Sequence, residues 1–175
     1  TFPASSYLFH AILKSDDSVL FCTWGRDIFA FDTSGDAAPL WTATLAASGT
    51  SITHMLLSPD ETTLIVGTRY GTQVMAKIAT SNGNVDSEQS LMHNSGARTI
   101  LHFNYASDNQ YLIVNAWTYL LKVLIADLSV VWAAQQSLEG SVVGLDPRNS
   151  VWDVVPSDST AVLYHVQDER MYGIS

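Results

Sequence analysis

The feature that most constrains the fold of this chain is a repeat in which an apolar run, a turn containing Ser and Asp, and a second apolar run follow one another. The repeat reads "YLFHAILKSDDSVLFCTW", "SITHMLLSPDETTLIVGTR", "TILHFNYASDNQYLIVNAW" and "SVWDVVPSDSTAVLYHV" in turn. Its turn aspartates are Asp16, Asp60, Asp108 and Asp158, which are separated by 44, 48 and 50 residues. Self-similarity at a period of this length indicates a chain built from repeated structural units.

The segments between the turns predict strands. They are short and rich in Val, Ile, Leu, Thr and aromatic residues, and Gly, Asp, Asn, Ser or Pro interrupts them. Continuous apolar second runs such as "TLIV" and "YLIV" predict strands that are buried on both faces. The repeat length is that of a four-stranded propeller blade. We therefore predict an all-β, β-propeller-like fold with four repeat units, which form one domain over 1–175 or part of a larger propeller.

The predicted units cover 7–48, 49–96, 97–149 and 150–175, each with about four antiparallel strands. Residues 1–6 are the candidates to supply a fourth strand to the last unit. The segment Val142–Trp152 has two interpretations, because it resembles a third strand, a turn and a fourth strand, yet Trp152 also opens the run before "PSDS". Gly35 and Gly83 are predicted to supply positive φ angles in hairpins between third and fourth strands.

Several of these segments resemble known propeller repeats. The turn Ser58–Asp60 with the following "TTLIVGT" resembles WD40, YVTN and quinoprotein-type repeats, and "IFAFDTSGDAAPLW" and "VVGLDPRNSVW" are similar to an element of the quinoprotein-type repeat. The chain departs from true WD40 repeats because it has no Gly-His dipeptide and no Trp-Asp pair at the end of a third strand. Its turns also lack the Gly and the closing Trp of sialidase-type repeats. Neither the WD40 hydrogen-bond tetrad nor sialidase catalysis is therefore assigned to residues of this chain.

Composition narrows the classes of partner. Seventeen acidic residues against eight basic ones give a net charge of −9, and the sequence has no basic run of the kind that nucleic-acid binding requires. The acidic excess repels anionic membranes, and no apolar run approaches the about 20 residues that span a bilayer. We expect neither nucleic-acid binding nor membrane insertion. Low lysine content with many Ser, Thr and Asn residues favours a secreted, extracellular protein. Cys22, the only cysteine, is predicted to be a buried and inert thiol.

Three histidines are the candidate metal ligands. His10, His54 and His102 each lie six residues before a turn aspartate, and Trp152 takes that position in the fourth repeat. The first strands of a propeller line its channel, so equivalent positions converge there, and three imidazoles could bind an ion such as zinc. The alternatives are a structural imidazole that bonds to a neighbouring blade, and a ligand- or pH-linked role. We favour the structural role and predict no cofactor.

The remaining candidates concern recognition. Trp24 and Trp117 end second strands, where packing between blades is the favoured role, and His93 lies in a polar loop that is expected to be solvated. These three residues are the candidates for interaction with a partner. Trp41 and Trp132 occupy outer-strand positions, where we expect them to pack between blades. The turn aspartates are predicted to close Asx turns rather than to bind calcium. No G-x-S-x-G motif occurs, and Cys22 has no evident catalytic partner.

These observations predict a non-enzymatic structural or interaction scaffold. A rigid propeller frame presents loops and strand edges to protein partners or to other copies of the chain, and an extracellular assembly would suit the composition. The alternative is a ligand-binding or enzymatic propeller, quinoprotein- or lactonase-like, with a site at the mouth of the channel. That site would require convergent acids, amides or a metal, and only the histidine series offers such a group.

Overall fold

The computed structural model describes residues 10–35, 38–69, 74–91, 100, 102–106, 108–116, 119–135, 152–156, 161–165 and 170–174. All regular elements in these ranges are strands, which confirms the predicted all-β class. Nowhere in them is a helix long and apolar enough to cross a membrane. The chain divides into two compact units, Thr1–Thr99 and Ile100–Ser175.

The first unit contains two four-stranded antiparallel sheets. The first sheet has the order β1-β2-β3-β4, with strands Ala11–Leu13, Val19–Trp24, Asp27–Asp32 and Trp41–Thr44. The second sheet has the order β5-β6-β7-β8, with strands Ser51–Leu57, Thr63–Arg69, Val74–Ala79 and Val85–Ser90. Consecutive strands pair throughout, so both sheets are meanders, and each lies within one predicted repeat unit.

The second unit repeats this plan. Its first sheet has the order β9-β10-β11-β12, with strands His102–Tyr105, Tyr111–Ala116, Tyr119–Leu124 and Val130–Gln135. Its other sheet has the order β13-β14-β15, with strands Trp152–Pro156, Ala161–His165 and Arg170–Ile174. Because β13 begins at Trp152, this residue does open the strand before the "PSDS" turn. Residues 1–6 and 142–149, where the other interpretations fall, lie outside the described residues.

The turn after the first strand has the same construction in three sheets. The Oδ1 atom of the turn aspartate accepts a hydrogen bond from the backbone N–H two residues later, at 3.0 Å for Asp16, 3.2 Å for Asp60 and 3.0 Å for Asp108. The residue directly after each turn aspartate has a left-handed backbone conformation: Asp17 at φ 57°, Glu61 at φ 56° and Asn109 at φ 53°. The predicted Asx turns are thus confirmed at these three positions, while Asp158 lies outside the described residues.

The two predicted turn glycines differ. Gly83 has φ 76°, as predicted for the hairpin between β7 and β8. The prediction for Gly35 is wrong, because this residue does not adopt a positive φ. In its hairpin the carboxylate of Asp32 accepts bonds from the backbone N–H and the hydroxyl of Ser34, at 2.8 and 2.7 Å. A side-chain turn therefore takes the place of a left-handed glycine.

The first unit has one apolar core between its two sheets. Phe21, Ile28 and Ala30 of the first sheet form a single buried cluster with residues of the second sheet that include Met55 and Val66. The second strands contribute Phe21, Leu64 and Val66 to it, and five consecutive residues of β6 are buried. In the second unit β10 is buried from Leu112 to Ala116. Apolar burial on both faces of these strands is the pattern that the sequence predicts.

Candidate functional site

The strand register places the three histidines at equivalent positions. His54 and His102 lie on first strands and His10 directly precedes β1, and each is opposite the residue of the second strand that follows the turn aspartate by seven positions. The fourth sheet has a histidine on its second strand instead. The cross-strand pairs are His10 with Thr23, His54 with Gly67, His102 with Asn115 and Trp152 with His165. Every sheet therefore has one imidazole at the same pair of positions.

His10 and His54 meet directly in the first unit. Their ring centroids are 4.9 Å apart and their planes are inclined at 64°. In β5 the register shifts between Ile52 and His54, so Thr53 is an extra residue just before the histidine. A bulge of this kind changes the direction of neighbouring side chains. β1 and β5 lie close together, which brings the two first-strand histidines into contact.

The surroundings of His10 are polar but incompletely hydrogen-bonded. In the part of the chain that the structure describes, the Nδ1 atom of His10 and the Oγ1 atom of Thr23 are both buried without a hydrogen-bond partner. Burial lowers the pKa of His10, so its imidazole is neutral at neutral pH. In the second unit, Asn115 lies opposite His102, is 1% exposed and has no partner for either side-chain polar atom. Nothing in the sequence distinguishes Thr23 or Asn115, because only the strand register places them opposite histidines.

Trp41 joins the first sheet to the second. Its indole Nε1 donates a hydrogen bond to the backbone oxygen of Thr80 at 3.0 Å. Its ring lies 5.7 Å from that of Phe21 and covers Gly83, where an added Cβ would come within 2.6 Å of Trp41 Cε3. The predicted packing of Trp41 between repeats is confirmed. Trp132, the other outer-strand tryptophan, is 36% exposed on β12.

The face of the first sheet that points away from the second sheet is also apolar. Leu13, Leu20 and Phe31 form one cross-strand row on this face, and the next row there contains Cys22 and Phe29. Leu13 is 42% exposed, although both phenylalanines are half-buried and stack with centroids 6.3 Å apart. We call these five residues the open face, which means only that the second sheet does not cover them, because Leu13 is their most exposed member and Cys22 is 4% exposed. Leu40, which directly precedes β4, is 56% exposed beside it.

Solved structures show to which fold this arrangement of sheets belongs. No protein-family model matches the chain, and no curated protein matches it in sequence. The β-propeller domain of Myceliophteria thermophila Cps50 (Swd1) is similar in structure, with a TM-score of 0.70 and 10% identity over 96% of this chain and 53% of that one. The WD40 repeats of RRP9 match with a TM-score of 0.64 and 12% identity over 98% of this chain and 52% of that one. The fold is that of a β-propeller.

This result confirms the predicted fold class and the WD40-like resemblance. The chain spans about half the length of the WD40 propeller structures that it matches. Another similar propeller is the periplasmic gluconolactonase PpgL of Pseudomonas aeruginosa, with a TM-score of 0.58 and 20% identity over 76% of this chain and 40% of that one. Each sheet of the chain is therefore a propeller blade. His54 lies on the inner strand of the second blade, and His10 directly precedes the inner strand of the first blade.

The other predicted site residues have mixed outcomes. Trp24 is half-buried at the end of β2, whereas Trp117 and His93 lie outside the described residues. Cys22 is 4% exposed and its pKa is raised by burial, as expected for an inert thiol. Among the described residues, no three His, Cys, Asp or Glu side chains form a group that could hold a metal ion. A metal site that also includes His102 stays a prediction.

Proposed function

We propose that the chain is a non-enzymatic scaffold that presents propeller surfaces to protein partners or to further copies of itself. The observation that carries this proposal is the exposure of Leu13 and of the neighbouring Leu40 at the open face of the first blade. The opposite face of the same blade is covered by the four-stranded second blade. The WD40 propellers among the similar structures support a role of this kind.

The chemistry of the open face defines the partner. Leu13 and Leu40 are 42% and 56% exposed, and burial of such a side chain contributes about 1.5 to 3 kcal/mol. A β-sheet that offers an apolar face matches these rows in shape, as the second blade does on the other side. We therefore propose that a second apolar sheet packs on the open face and that a second copy of this chain can provide it.

The test is the self-association of the purified chain, measured by sedimentation velocity over a range of concentrations. We expect reversible association that Leu13→Lys weakens at least tenfold, because the substitution places a charge within the buried contact. Val131→Lys is the matched control, since Val131 is 52% exposed but lies on β12 of the other unit. A chain that stays monomeric at its highest soluble concentration would contradict the proposal, as would equal effects of the two substitutions.

An enzymatic role is the second candidate, and the similarity to the gluconolactonase PpgL favours it. If the chain hydrolyses lactones, the histidines on the inner strands are the groups that could act as a base or hold a metal. A pH-stat assay with gluconolactone tests this directly. Turnover that is lost in His54→Gln but retained in His93→Gln would support the enzymatic role over the scaffold role.

The setting of the scaffold is also a proposal. The net charge of −9 and the low lysine content support an extracellular assembly, in which an acidic surface keeps the protein soluble. Immunodetection of the chain in cell and medium fractions of its source tests this location. Recovery in the cell fraction alone would contradict it.

A further inference from the structure

We propose that His10 and His54 form a binding site for a divalent transition-metal ion, of the class of Zn²⁺ and Ni²⁺, between the inner strands of the first and second blades. This proposal does not depend on the scaffold function. It rests on the contact between the two rings and on the buried polar atoms around them.

The spacing of the rings fits one shared ion. Two imidazoles that bind the same tetrahedral ion through Zn–N bonds of about 2.0 to 2.1 Å have ring centroids about 5 Å apart. The centroids of His10 and His54 are 4.9 Å apart. Paired strands β5 and β6 hold His54, and the hydrogen bond from the Thr23 N–H to the His10 carbonyl at 3.1 Å fixes the backbone of the other ligand. The backbone is thus ordered at both positions, which limits the entropy lost on binding.

The buried nitrogen of His10 suits a ligand. A metal ion binds the lone pair of an imidazole nitrogen. Among the described residues its buried Nδ1 atom has no hydrogen-bond partner, so this nitrogen can act as the ligand. Buried polar atoms without a partner are uncommon in proteins and indicate a bound ion, a bound water or a functional role.

Thr23 provides the second independent observation. Its side chain is 0% exposed, it lies opposite His10, and its Oγ1 atom is buried without a partner. Side chains at directly opposed positions of paired strands lie on the same face, about 4.5 to 5.5 Å apart at Cβ. An ion held by two imidazoles completes its coordination with water, and a metal-bound water requires a hydrogen-bond acceptor. The Thr23 hydroxyl can accept that bond.

The test uses the full chain and measures Zn²⁺ and Ni²⁺ binding by isothermal titration calorimetry. We expect one equivalent to bind, with an affinity at least tenfold lower in His10→Gln and in His54→Gln. His93→Gln is the matched control, because it makes the same chemical change at a histidine outside the pair, and its affinity should be unchanged. Thr23→Val, which keeps the side-chain volume, should weaken binding several-fold.

Two further measurements keep the result interpretable. Thermal unfolding without metal shows whether each variant is folded, and the absorption bands of bound Co²⁺ report nitrogen ligation independently of affinity. The bands should disappear in His54→Gln and persist in His93→Gln. Absence of stoichiometric binding by the wild-type chain would overturn the proposal and would leave a bound water as the partner of His10. Binding that survives in folded His10→Gln and His54→Gln, or that His93→Gln abolishes, would overturn it as well.

Discussion

The indole nitrogen of Trp41 donates a hydrogen bond to the backbone oxygen of Thr80 at 3.0 Å, and the same ring covers Gly83. An outer strand of the first blade thus contacts the hairpin between the third and fourth strands of the second blade. Gly83 is required here for two reasons, since it has φ 76° and lies where a Cβ would clash with the ring. The contact between Trp41 and the hairpin of the second blade therefore requires glycine at position 83.

Gly83→Ala should destabilise the chain strongly. The left-handed backbone costs about 1 to 2 kcal/mol for alanine, and crowding against Trp41 costs a further 1 to 3 kcal/mol or so. Urea unfolding measures the sum. Gly35→Ala is the matched control, because its φ is not positive and an added Cβ would meet Asp32 at an ordinary 3.5 Å. Similar losses in both variants would show that Trp41 is not the cause.

Glu88 should stabilise the connection between the first and second blades. Its two carboxylate oxygens accept hydrogen bonds from the backbone N–H groups of Ala46 and Ala47, at 2.9 and 2.8 Å. Glu88→Gln turns one acceptor into a donor that faces an N–H, so we expect a loss of about 1 to 2 kcal/mol in urea unfolding. Asp86→Asn makes the same charge change at an exposed position of β8 and should be nearly neutral. Equal effects would indicate a general charge effect.

Asp60 should stabilise its turn in a manner that depends on pH. Hydrogen bonds from the Ser58 hydroxyl, at 2.5 Å, and from the Thr62 N–H lower the pKa of Asp60. A lowered folded-state pKa adds stability above the unfolded-state pKa, and this stability is lost as the pH falls through the folded-state value. Asp60→Asn should therefore lower the melting temperature at neutral pH, and the difference should shrink below about pH 4. A difference that is constant with pH would contradict this assignment.

His10 should make the fold less stable in acid. Because burial lowers its pKa, the unfolded chain binds more protons than the folded one once the pH falls below the unfolded value of about 6.5. Protonation also places a charge 4.9 Å from the ring of His54. In a metal chelator, the melting temperature should fall more between about pH 7.5 and 5.5 for the wild type than for His10→Gln. Parallel curves would exclude a contribution from His10.

Local features of this fold are readable from the sequence. Asp16, Asp60 and Asp108 form the predicted turns because an Asx turn requires only one side chain and the backbone beside it. The strands follow from short apolar runs, and equal distances to the turn place His10 and His54 at equivalent positions. Each of these features depends on residues that are close in the chain.

Contacts between blades are not readable in this way. The sequence indicates that Trp41 packs between repeats, but it does not identify Thr80 or Gly83 as the contacts. Glu88 lies in a polar run that predicts little more than a solvated strand, and its bonds to Ala46 and Ala47 join positions about forty residues apart. The sequence does not reveal the open face either. Apolar residues on both sides of a strand form the same pattern whether neighbouring sheets cover one face of the sheet or both faces.

The equal length of the turn after the first strand determines how an insertion there would affect the chain. In three blades its closing backbone bond joins residues five apart, from Lys14 to Val19, from Ser58 to Thr63 and from Ala106 to Tyr111. One inserted residue would shift the second strand and turn its side chains to the opposite face. The turn is largely exposed, and its length decides which side chain lies opposite each histidine. An insertion or deletion in this hairpin would thus change which side chains lie opposite the histidines, whereas a point substitution in it would leave those pairs intact.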